Sequence, residues 1–418
     1  MTPLNDLTTL EAAVRRAAAQ TTITDIHTHL FPPSHGQLLL WGADEILTYH
    51  YLVAETFMVA DMKLTPDDFW KLPKTRQADI VWKHLFLDRG PLSEATRGAL
   101  TIFNTLGLDT GRRDLASIRA WFAQQTAESY LEKVFQLANV NYAMMTNNPF
   151  LEQEVQCFRQ PLPIPDRLKT ALRIDTLLLN WPAAAKAMKA QGYKVAVAKP
   201  DAKSLAAARA FLVEWAKKIK PVYMAASMPP EFTYPDRGTC TTILEKVVLP
   251  VAKELNLPVA MMIGVRKAVN PALGDGGDAV GTADMLAVHR LCQRHPDAKF
   301  LITPLSPNNQ HELAILGRKF RNLHIFGCWW FCNIPSLIDS ITRLRLEELG
   351  TAFTAQHSDC RVLDQMLYKW PHSRGIIANV LVDKYRDQFL TGWRATEADI
   401  QRDVRRIFGG AFEEFLAK

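Results

Sequence analysis

The segment Asp25-Ile-His27-Thr-His29 places two imidazoles two residues apart near the start of the chain. In an extended strand alternate side chains point the same way, so His27 and His29 converge on one point. Imidazole nitrogens suit zinc and related transition metals. Far downstream, His357-Ser-Asp359-Cys-Arg361 offers a carboxylate that can act as a ligand, a base, or both. Arg361, two residues on, would hold Asp359 ionised by lowering its pKa. The competing reading is an ordinary surface ion pair on a loop. Arg173 presents a planar fork suited to a carboxylate, and with Asp175 it reads equally as a structural pair. His50-Tyr51 lies in the stretch LTYHYLVAETF, where aromatic residues more often pack than catalyse. Arg266 and Trp329-Trp330 complete the set; the tryptophans read equally as core or as a surface that stacks on a sugar.

The elements that must position these groups form a repeating order of short apolar runs, each followed by helical sequence. The runs are Thr22–His27, Asn141–Thr146, Thr170–Asp175 and Pro221–Met228, then Pro258–Gly264, Lys299–Leu305, Leu323–Trp330 and Ala352–Asp359. They are continuously apolar rather than alternating, as parallel strands buried on both faces require. Tyr193–Ala198 is also strand-like and competes for the fourth place. Eight such units predict an α/β fold of (β/α)8 TIM-barrel type, read as one domain over residues 1–418. Residues 30–140 do not fit the repeat. They read as a helical insertion after the first strand, covering the barrel mouth. The candidate residues then fall at strand ends on the C-terminal face, where such barrels carry their sites.

Hydrophobic residues make up 48% and charged residues 22%, enough for a large core. The formal charge of +6 comes without a block of like charge, which argues against nucleic acid as a partner. The N-terminal stretch reads as an amphipathic helix rather than a secretory signal, and the longest apolar runs fall well short of the ~20 residues that cross a bilayer. Six scattered cysteines without a CxxC pair read as reduced thiols. Cys328 and Cys332 have helical spacing but strand-like surroundings, against a zinc knot. The expectation is a cytoplasmic, non-membrane enzyme of small molecules, assembled as a homo-oligomer.

One absence narrows the chemistry. The HxH-plus-Asp barrel resembles the amidohydrolase superfamily, whose hydrolytic members usually add histidines from the fifth and sixth strands. Here those strands offer Met261, Met262 and Thr303, and no histidine lies between His84 and His289. A metal-dependent hydrolase or decarboxylase on the same barrel is therefore the lesser reading, since it must position and activate water.

Within that superfamily the chain resembles the shorter, divergent branch of the uronate isomerases. The stretches TDIHTHLFPP, LLWGADEILTYHYLVAE, AMMIGVRKAVNPALGDGGD, IFGCWWFCN and QHSDCRVLDQMLYKW carry the resemblance, which spans nearly the whole chain. It implies aldose–ketose interconversion of hexuronates through a cis-enediol: glucuronate with fructuronate, galacturonate with tagaturonate. It also implies His27, His29 and Asp359 around one zinc-type or other divalent cation, with Asp359 and His29 helping to open the pyranose ring. Tyr51 would carry the proton, with His50 beside it. Nearby positive charge, from Arg361 or the metal, should depress the pKa of the tyrosine. Arg361 would stabilise the enediol oxygens and Arg173 would pair with the substrate carboxylate. Asn147-Asn148 and Met262 stand where longer relatives have acidic residues and a histidine, which implies a cation that is weakly bound and not essential.

Overall fold

A computed structural model of the protein describes residues 2–159 and 162–418. Seven parallel strands lie side by side in chain order: β1 Ile23–Thr28, β2 Val140–Asn147, β3 Leu168–Arg173, β4 Met224–Met228, β5 Val259–Ile263, β6 Phe300–Pro304 and β7 Leu323–Ile325. Parallel neighbours require long crossovers, and helices supply them, among them Ala202–Ile219, Leu286–Arg294 and Pro335–Leu349. The first of these starts where Asp201 accepts the Ser204 N–H and stops at Lys220 in the left-handed region, φ 50°. Losing such an N-cap costs about 1 kcal/mol.

The apolar runs bury both faces of the sheet. Outward residues such as Ala143, Leu172, Val259 and Ile302 join the main core with the helices. Inward residues form a second cluster, with Ile26, Met144, Ala171, Ala225, Met262 and Leu301 from successive strands. Phe412 and Phe415 from the C-terminal end belong to this inner cluster. The sheet therefore curls around its own interior, giving an α/β fold with the strand order of a barrel.

The eighth expected run is not a regular strand. Ala352–Asp359 makes one parallel bridge, Phe326 to Thr354. Side chains and the C-terminal segment take over the rest of the pairing. The Ala355 N–H donates to the Ile407 carbonyl (3.0 Å), and the Gln356 side chain accepts both Cys328 N–H (2.8 Å) and His357 N–H (2.9 Å). Asp359 N–H then reaches the His27 carbonyl at 3.1 Å, so the segment still runs from β7 to β1. Nor is Tyr193–Ala198 a strand: the Ala196 N–H donates to Ser204 Oγ and its carbonyl accepts Trp181 Nε1–H, leaving no edge for a ladder.

Between β1 and β2 the chain forms helices, including His50–Val59, Lys74–Trp82, Glu94–Thr105 and Ala127–Ala138. Their buried faces (Leu52, Val53, Val81, Phe103, Val134) belong to the same core as the crossover helices. All six cysteines are free, and no helix among the described residues is long and apolar enough to cross a membrane.

Candidate active site

The two histidines of β1 converge as their spacing predicts, with ring centroids 5.1 Å apart. Asp359 joins them from the eighth segment, its Oδ1 lying 3.3 Å from His29 Nε2 and 3.7 Å from His27 Nε2. A β1 carboxylate braces this join. Buried Asp25 accepts the Ser358 N–H at 3.0 Å and the Trp370 Nε1–H at 2.8 Å, and burial pushes its pKa up to about 6.

The hydrogen-bond network assigns both histidine tautomers. The Tyr223 hydroxyl donates to the Ile26 carbonyl at 2.7 Å, so its oxygen accepts from His27 Nδ1–H at 3.3 Å. Thr146 Oγ1 donates to the Thr28 carbonyl at 3.1 Å, so it accepts from His29 Nδ1–H at 2.9 Å. Both Nε2 lone pairs therefore face Asp359 Oδ1. Burial holds His27 down at about 3 and His29 well below the usual imidazole range, so both rings are neutral. His27 Nε2 and Asp359 Oδ1 are buried without a partner. Three acceptors that face one another, with ligand atoms all within 4.8 Å, fit a shared cation.

The cluster opens into a cavity of about 440 Å³, walled also by Arg173, Arg361, Lys267, His50 and Trp329. Arg173 is bidentate to Asp175 through Nε (3.0 Å) and Nη2 (3.1 Å), and Asp175 also accepts the Ser227 N–H. The structural pair and the cavity-facing fork thus coexist, because Nη1 stays outside the pair.

Several placements differ from the sequence expectation. Arg361 does not pair with Asp359; it turns to Asp275 in the loop after β5. Arg266 lies on the two-residue strand Val265–Arg266, more than half exposed, with Glu231 3.9 Å away, and does not line the cavity. Its neighbour Lys267 does, held by Asp278 at 2.5 Å. Tyr51 lines an adjoining cavity, while Tyr49 and His50 line both. The Tyr51 pKa is not depressed: burial raises it well above 10, Tyr49 and Asp359 push the same way, and Arg361 is outweighed. Trp329 is buried against the inner cluster, and Trp330 sits at φ 45° on the wall between the cavities. The tight turn before them needs Gly327, since a Cβ there would fall 1.7 Å from His357 Nδ1.

Sequence reasoning missed Tyr49, Thr146, Tyr223 and Lys267. Tyr49 and Lys267 each adjoin a residue it chose. Thr146 and Tyr223 lie inside two expected strands, but nothing local distinguishes them from core residues.

A curled parallel seven-stranded sheet with helices around it and a histidine–carboxylate cluster at the C-terminal ends of its strands defines an α/β protein with a metal-compatible site, in the place where α/β folds carry their active sites. The chain is similar over 99% of its length to a uronate isomerase from Bacillus halodurans C-125, at 46% identity and a TM-score of 0.96, covering 98% of that chain. It belongs to the uronate isomerase family. A uronate isomerase from Thermotoga maritima (13% identity) and a glucuronate isomerase from Caulobacter crescentus (14%) share the fold, each with a TM-score of 0.76. These alignments cover 99% and 98% of this chain and 98% and 94% of those chains. No family model and no curated protein sequence matches the chain.

Proposed function

We propose that the protein interconverts D-glucuronate with D-fructuronate, and D-galacturonate with D-tagaturonate, through a cis-enediol. The observation that carries this reading is the convergence of His27, His29 and Asp359 beside two cavity-lining guanidiniums, in a chain 46% identical to a uronate isomerase. The sugar acid needs a cation for its carboxylate, and Arg173 is placed to offer Nη1 while Asp175 fixes the fork. Asp359 and His29 move a proton from the anomeric hydroxyl to the ring oxygen as the C1–O5 bond breaks.

Tyr51, after passing its own hydroxyl proton to the neighbouring His50, takes the proton from C2 as a phenolate and returns it to C1, while a hydroxyl proton passes from O2 to O1; His50 then gives its proton back. Its hydroxyl is buried, lacks a partner and lies within electrostatic reach of Asp359 and Arg361. Burial keeps it neutral at rest, and Arg361 is the neighbour that favours its ionised form. Arg361 therefore serves both the tyrosine and the enediol oxygens, and preorganised charge of this kind is usually the largest catalytic contribution. Positioned proton transfer adds typically ~10²–10⁴-fold.

His27, His29 and Asp359 would hold a zinc-type cation, which when bound supplies positive charge beside the reacting oxygens. The eighth segment closes the ring of strands into a (β/α)8 barrel in this reading, and the helical insertion covers the mouth as part of one domain. Trp329 and Trp330 give the sugar an apolar wall. The protein works in the cytoplasm, on small molecules, as a homo-oligomer.

Proton NMR with D-glucuronate in deuterated water tests the reading. Fructuronate is the expected product, and any deuterium at C1 measures how far the proton on Tyr51 exchanges with solvent before its return. No ketose from either aldose, with or without added zinc, would overturn it.

A further inference from the structure

Behind His50 and Trp330 lies a second cavity of about 370 Å³, sharing those residues and Tyr49 with the first. Its wall is mostly hydrocarbon, from Ile46, Leu52, Ala99, Ile102 and Phe331. Four hydrogen-bond donors on that wall are buried without a partner: the Tyr51 hydroxyl, already assigned to the proposed reaction, and Lys369 Nζ, Asn333 Nδ2 and Trp330 Nε1. Lys369 is 3% exposed and Asn333 6%. Native proteins rarely leave buried donors idle, and an uncompensated buried cation costs several kcal/mol.

The acids of the same wall do not answer Lys369. Glu94 is engaged by Arg97, by His372 at 3.0 Å and by the Tyr368 hydroxyl at 2.8 Å, and Glu55, its pKa raised by burial, accepts the Ser93 hydroxyl at 2.6 Å. Asp275 is held by Arg361 and Asp278 by Lys267. Among the described residues, none forms an ion pair with Lys369. Its other titratable neighbours are His50, His357, His372 and Cys360, none of them a carboxylate. The cavity thus has a positive end whose local carboxylates are already committed.

We propose that this second cavity is a binding site for a small organic carboxylate with an apolar body. The carboxylate completes Lys369, Asn333 and Trp330, and the hydrocarbon wall takes the body. Beyond Tyr51, which packs against His50 and Trp330 at the partition with the first cavity, a hexuronate, hydroxylated along its chain, does not suit the hydrocarbon wall, because each buried hydroxyl needs a partner. The ligand therefore differs in class from the substrate, and Lys369 and Asn333, which its carboxylate would engage, take no part in the proposed reaction.

Benzoate is the probe, titrated calorimetrically into the full-length protein at fixed ionic strength. One saturable site is expected. Benzyl alcohol, with the same ring and no charge, should bind at least about tenfold more weakly. Lys369→Met should weaken benzoate by about tenfold or more, and Ala99→Phe, which fills the apolar end, should abolish binding. Arg173→Ala, in the first cavity, should leave benzoate affinity unchanged. The proposal fails if no saturable binding occurs, if benzyl alcohol binds as well as benzoate, or if Arg173→Ala removes binding. Should Lys369→Met not fold, Ala99→Phe and the alcohol comparison still decide, since benzoate binding unaffected by Ala99→Phe places the ligand elsewhere.

Discussion

Arg361 pairs with Asp275, which lies 86 residues earlier in the chain, although Asp359 is only two residues away. The positive φ of Asp359, 53°, and its N–H bond to the His27 carbonyl turn that carboxylate inward to the histidines. The loop after β5 thereby sets the position of the guanidinium proposed to serve the reaction.

Asp275→Asn should release Arg361 and lower kcat/KM by about tenfold, close to 1.4 kcal/mol, while the fold persists. Steady-state kinetics with glucuronate alongside a thermal melt measures this. An unchanged kcat/KM would show that Arg361 needs no such tether.

Tyr223→Phe keeps the ring packing but removes the acceptor for His27 Nδ1–H. Loss of such an outer partner typically weakens metal affinity by about 10–100-fold. Competition with a chromophoric chelator for zinc reads the effect directly. Equal affinity in variant and parent would mean that this hydroxyl does not fix the tautomer.

Arg173→Ala and Tyr51→Phe should separate binding from chemistry. The first should raise KM by about tenfold or more, with the smaller change in kcat, because it removes a charge-assisted carboxylate contact. The second should lower kcat by about 10²-fold or more and leave KM near its original value. Near-normal turnover in Tyr51→Phe would transfer the proton-carrying role elsewhere, and Tyr49, already on the cavity wall, is the residue to change next.

Glu154 adds a pH dependence to stability. Burial pushes its pKa from 4.5 up to about 7, against the Asn148 N–H bond and the Arg173 charge. A raised carboxyl pKa means the fold binds this proton more tightly than the unfolded chain does. Its favourable contribution is complete below pH 4.5 and is lost as the pH rises through 7, on the order of 3 kcal/mol in total. Urea unfolding at pH 5 and pH 8 should show this loss in the parent and a flatter profile in Glu154→Gln. Parallel profiles in the two proteins would remove Glu154 as the source.

By itself the sequence determined the parallel strands and the convergence of His27 with His29. Continuous apolar runs require burial on both faces, and a two-residue period sends alternate side chains one way. It also marked Asp359 and Arg173, because strand ends on the C-terminal side are where such folds gather polar groups. Tertiary structure decided the partners. Asp275 claims Arg361, Tyr223 and Thr146 orient the imidazoles, and Lys267 takes the wall position expected of Arg266. Each of these contacts joins residues from different strands or loops, and local periodicity carries no information about distance between them. The Tyr51 environment was hidden for the same reason. Nearby charge was visible in the sequence, but the burial that outweighs it comes from Tyr49, Trp330 and Phe331 packing around the ring once the chain has folded.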